Sequence, residues 1–173
     1  MNSITQRLPA LNQIYPVYGL IVLFTYGWSL LAFSWLLPST IKYLTVGELA
    51  IMLAYQFYVV FIDSLLALLF TLLISIALPP KWFRDEFIAR SSAVIICTLS
   101  LLAYLNYNKV AAEHIWIYIL IAIGLLVILL ILIQRINLLK KIILNLADRS
   151  IIFMYLSVPL SAISMVVVLI RNI

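Results

Sequence analysis

The chain has 173 residues, of which 66% are hydrophobic and only 10% charged, and its mean hydropathy is +1.22. A soluble domain is roughly half apolar and a quarter charged, so this composition excludes one and points to a bilayer. Eleven Lys and Arg against six Asp and Glu give a net charge of +5; the cations are scattered between apolar runs rather than gathered in a patch, which argues against nucleic acid and for membrane orientation.

The N-terminus, MNSITQRLPALNQ, is polar with one Arg. The apolar run behind it is too long for a signal-peptide core and lacks a small-residue cleavage pattern, so the first span is expected to stay as a signal anchor. A membrane-spanning helix needs about 20 mostly apolar residues, and five stretches qualify. They run from about Tyr15 to Leu37, ending at Pro38; from Ala50 to Leu78, ahead of Pro79 and Pro80; from about Phe87 to Leu105; from about Ile115 to Ile133; and from Ile151 to Ile170. The second, at about 43 Å of helix, should tilt or project beyond the hydrocarbon. Short connections put sequence neighbours side by side. The expected fold is an all-α integral membrane protein with five transmembrane helices in an antiparallel bundle, plus one interfacial amphipathic helix. Its parts are a tail at 1–14, four spans within 15–133, the amphipathic helix at 134–149, and the fifth span with a short external end at 150–173.

Orientation follows from the Lys and Arg of the connections. Arg7, Lys81, Arg84, Arg90, Arg135, Lys140, Lys141 and Arg149 fall on one side, and Lys42, Lys109 and Arg171 on the other. Eight against three predicts a multi-pass protein of the plasma (inner) membrane with its N-terminus in the cytoplasm and its C-terminus outside. The aromatic belts agree, with Trp35, Tyr43, Tyr104, Tyr107, Trp116 and Tyr118 at the outer interface and Tyr15, Tyr18, Trp82, Phe83 and Phe153 at the inner one.

In the fourth connection Gln134, Asn137, Lys141, Asn145 and Asp148 recur every three or four residues, opposite Ile136, Leu139, Ile143 and Leu146. This is an amphipathic helix. It is expected to rest in the interface plane, with Arg135, Lys140 and Lys141 meeting anionic headgroups on the cytoplasmic side; the plainer alternative is an extension of the fourth span. Lys81 and Arg84, among the aromatic residues that follow Pro80, are expected to anchor at the same headgroups or to dock a partner.

Asp63 is the acidic residue that hydropathy places deepest. Ionisable groups at such depth are costly and make functional-site candidates. Gln56 lies two turns earlier on nearly the same face, and the two form one polar stripe on an apolar rod. Asp63 is expected to be either a protonatable or ion-binding carboxylate, or a neutral acid that hydrogen-bonds a neighbouring helix or subunit. The fifth span carries Ser157, Ser161 and Ser164, a small-residue face suited to close helix packing, and Pro159, which removes one backbone hydrogen bond. Ser91, Ser92, Cys97, Thr98 and Ser100 give the third span a similar character.

No base lies at the depth of Cys97 or the span serines, which argues against a nucleophilic site. His114 has no second ligand at a useful spacing, and one cysteine cannot form a multi-cysteine metal site. No phosphate-binding glycine loop or metalloprotease or hydrolase motif occurs. The expectation is therefore a non-catalytic chain without metal or cofactor. Its first-ranked role is an integral subunit or assembly protein of a larger membrane complex, acting through lipid contact and helix packing with other integral subunits. The alternative is a small transporter or a proton- or ion-coupled component using Asp63 and Gln56. Five spans with an external C-terminus also resemble, in layout, the membrane part of sulfatase-like phosphoglycerol and phosphoethanolamine transferases. That resemblance implies a membrane module of a lipid- or envelope-modifying system lacking its catalytic domain.

Overall fold

A computed structural model describes residues 9–77, 86–108 and 115–172. Among the described residues five helices follow one another: α1 Leu11–Thr40, α2 Val46–Ala77, α3 Phe87–Tyr107, α4 Ile115–Arg135 and α5 Asn137–Asn172. No strand occurs among the described residues. All five helices are long and apolar enough to cross a membrane. Helix is the outcome this sequence requires, because a lipid-embedded backbone must satisfy its N–H and C=O groups within its own segment.

The helix ends show which local signals prevail. Ahead of α2, the Thr45 amide donates to Glu48 Oε2 at 2.7 Å while the Glu48 amide donates to Thr45 Oγ1 at 3.4 Å, a reciprocal capping box. It starts α2 four residues before the expected Ala50. α1 passes through Pro38 to Thr40. A proline ring forfeits only its own bond to the carbonyl four residues back, and the Ile41 amide still reaches Leu37 O at 3.0 Å.

The expected interfacial helix at 134–149 does not stand as a separate element. Gln134 and Arg135 end α4, the helix breaks only at Ile136, and residues 137–149 are the opening turns of the 36-residue α5. No Gly or Pro interrupts the chain between Asn137 and Val158. The Ser150 hydroxyl donates back to Leu146 O at 2.7 Å instead of capping a new helix. At 1.5 Å per residue α5 is about 54 Å long, so part of it lies beyond a hydrocarbon layer of about 30 Å.

Pairings across the bundle fix its topology. Tyr18 meets Ser64 and Ser29 meets Gln56, so α1 and α2 are antiparallel. Gly19 lies on Ser150 and Tyr26 on Ser161, so α1 and α5 are parallel. Tyr104 stacks on Tyr118 at 5.7 Å while Ala89 and Ala93 pack with Ile133, so α3 and α4 are antiparallel. The chain thus runs up and down, as its short connections predict.

α1 is the central helix, packed against α2, α3 and α5. Val17, Leu20 and Ile21 are buried with Phe87, Val94 and Ile95 of α3. On another face Tyr18, Val22 and Tyr26 are buried with Phe57 and Val60 of α2. A third cluster, Ala89, Ala93, Ile133 and Ile143, joins the start of α3 to the end of α4 and the opening turns of α5. α4 is peripheral: Ile133 is its one buried residue, and side chains such as Leu120, 68% exposed, face outward to whatever surrounds the bundle.

Candidate functional site

α2 leans on α1 and α5, α3 leans on α1 and α4, and α2 and α3 barely touch. The wedge between them is a groove of about 890 Å³ bounded by α1, α2 and α3. Asp63 lines it, and is the one charged residue to do so among the described residues. It sits close to the middle of α2, seventeen residues from Val46 and fourteen from Ala77. Its side chain is exposed to the groove, and among the described residues its carboxylate meets no hydrogen-bond donor or cation.

Gln56 lines the same groove, but the two polar residues are used differently. The Gln56 amide Nε2 donates to Ser29 O and to Ser29 Oγ, both at 2.7 Å. Gln56 therefore clamps α2 to α1, and its donors are already engaged. The expected hydrogen bond from Asp63 to a neighbouring helix is not formed within the described chain. Around the carboxylate the walls are aromatic and aliphatic, with Phe24 and Trp28 from α1, Tyr55 and Phe70 from α2, and Leu99 and Leu102 from α3. Asn106 lies at the α3 end of the groove.

Away from the groove, polar contacts tie α1 to α2 and to α5. Ser157, Ser161 and Ser164 are buried, each hydroxyl donating to the carbonyl four residues earlier, while Pro159 beside them is exposed. With its only proton given to Ser157 O, Ser161 Oγ accepts from the Tyr26 hydroxyl. Ser64, which donates to Phe61 O at 2.7 Å, likewise accepts from Tyr18 at 3.3 Å. From the sequence, Tyr18 falls in the inner aromatic belt and Tyr26 is given no role, although a spacing of eight puts both on one broad helix stripe.

At the end of the bundle where α3 begins, Lys140 is not free for lipid as expected. Its ammonium donates to Glu86 Oε1 at 2.6 Å, and Arg90 approaches Glu86 Oε2 at 3.4 Å. The hydrogen bond from Lys140, followed by the two nearby positive charges, holds the Glu86 carboxyl below the usual carboxylate range. Arg135 and Lys141 are exposed. Lys81 and Arg84 lie outside the described residues, as does His114.

Chemically, the groove offers one uncommitted carboxylate in an apolar enclosure. Among the described residues no three His, Cys, Asp or Glu side chains gather to hold a metal ion. A second groove, between α3 and α4, is lined by Cys97, Tyr104 and Tyr118 without a charged group. Compared with protein-family profiles, curated proteins and solved structures, the chain matches none.

Proposed function

We propose that this chain is a non-catalytic membrane protein that holds a cation on Asp63 within the bilayer, as a small transport or ion-coupled component. The observation that carries this reading is the uncommitted carboxylate near the middle of a membrane-length helix, facing an open groove. A charged carboxylate at the centre of a bilayer costs about 2.5–3.5 kcal/mol on insertion scales, and a bound proton or cation removes that cost. Gln56 contributes by fixing the α2 wall against α1 through its amide N–H donors. The test is cation or proton flux in liposomes: Asp63→Asn should abolish flux above that of empty liposomes while the protein keeps its helical content. Wild-type flux from that variant would remove the reading.

A second reading, an integral subunit of a larger membrane complex, is favoured by α4, whose residues from Ile119 to Ile133 are aliphatic apart from Gly124, uncharged and mostly turned outward. In either case the charge bias of the connections supports insertion into the inner membrane with the N-terminus in the cytoplasm. Arg135 and Lys141 then meet anionic lipid headgroups. Reporter fusions at the two termini test this topology, with cytoplasmic activity expected at the N-terminus and external activity at the C-terminus.

A further inference from the structure

The groove around Asp63 is larger and more aromatic than a proton site needs. A proton requires one carboxylate and a water path, whereas this space holds about 890 Å³, within the range of pockets that enclose drug-sized molecules. Divalent cations are poorly matched, because Ca²⁺ takes six to eight oxygen ligands and Asp63 is the sole carboxylate lining the groove among the described residues. An anion would be repelled, and a neutral apolar ligand would leave the carboxylate unpaired at mid-depth, where an unsatisfied charge is expensive. A ligand with one positive charge and an apolar body satisfies both the carboxylate and the walls. Phe24, Trp28, Tyr55 and Phe70 line the groove, and organic cations are attracted to aromatic rings. The gap between α2 and α3 leaves the groove open sideways, so such a ligand can enter from the lipid.

We propose that the α1–α2–α3 groove is a binding site for lipophilic organic cations, such as quaternary ammonium or phosphonium compounds, paired with Asp63 and enclosed by Trp28, Tyr55 and Phe70. This rests on the reading of Asp63 as a cation-holding group and adds the class of cation.

The probe is radiolabelled tetraphenylphosphonium, measured by equilibrium dialysis against the full chain in zwitterionic nanodiscs, with uptake by empty discs subtracted. Saturable binding near one per chain is expected. Asp63→Asn should weaken it at least tenfold, and Trp28→Ala several-fold. Asp148→Asn, which removes an exposed acid on α5, should leave it unchanged. Neutral triphenylphosphine oxide should not compete. Uptake no greater than that of empty discs overturns the proposal, as does equal binding by the Asp63→Asn variant or competition by the neutral compound. Because liposome flux is read separately, Asp63-dependent proton flux without phosphonium binding would sink the ligand class alone. Loss of both would sink the reading beneath it. An absence of binding because a second copy or a partner helix fills the groove, seen as a stable assembly in the same discs, also overturns it.

Discussion

Gly19 of α1 lies with its backbone directly against that of Ser150 in α5: a Cβ at position 19 would come within 2.8 Å of the Ser150 carbonyl carbon and oxygen and of the Ile151 amide nitrogen. Main-chain atoms cannot swing aside as a side-chain tip can, so any larger residue forces the two helices apart. Small residues allow this kind of close approach between membrane helices. Gly19→Ala is expected to destabilise by about 1–3 kcal/mol, the usual cost of overpacking, although alanine is the better helix former. Thermal unfolding in detergent checks it, and an unchanged or raised midpoint contradicts the close approach.

The Tyr26–Ser161 contact joins the same pair of helices seven residues further along α1. In a double-mutant cycle, Tyr26→Phe and Ser161→Ala should each destabilise, and the pair should lose less than the sum. The coupling should be near 0.6 kcal/mol and no more than about 1.7 kcal/mol, as for other interhelical hydrogen bonds in membranes. Strict additivity would mean that the two hydroxyls do not interact.

Gln56→Leu removes both bonds to Ser29. The Ser29 carbonyl keeps its place in the α1 helix, so the cost falls on the α1–α2 contact and is expected at about 1 kcal/mol. Gln56→Glu should cost more, because the carboxylate offers no donor to the Ser29 carbonyl and places a second negative charge two turns from Asp63. The comparison is made by unfolding both variants in the same detergent. A Glu variant as stable as the wild type would show that Gln56 is not acting as a donor.

Glu86 has its carboxyl pKa lowered, chiefly by the Lys140 hydrogen bond. A depressed folded-state value means that the stabilisation is fully present above the unfolded value of about 4.3 and is lost as pH falls through the lower folded value. With Glu86 and Lys140 side chains 27% and 33% exposed, the effect should stay near or below about 1 kcal/mol. Stability measured from pH 6 down to pH 3 should fall in the wild type, and the fall should be shallower in Glu86→Gln. Matching profiles for the two proteins would show that the pair contributes nothing.

The sequence by itself determined the five helices, their order and their up-and-down course, because span length and hydropathy act locally and an apolar run of about 20 residues can satisfy its backbone in lipid only as a helix. It also held the start of α2, since the Thr45 and Glu48 pair is a four-residue signal, although hydropathy alone put that start later. Only the tertiary structure decided the destinations of the polar groups. Gln56 and Asp63 share a helix face, yet one is clamped to Ser29 and the other opens into a groove, because that outcome depends on where α1 and α3 stand. Lys140, expected at the lipid headgroups, is captured by Glu86, a residue 54 positions away. The unbroken run of α5 through residues 137–172 was fixed by cooperative helix propagation together with packing on α1, α2 and α3. An amphipathic pattern reports which face is apolar, and carries no information on whether that face meets lipid or another helix.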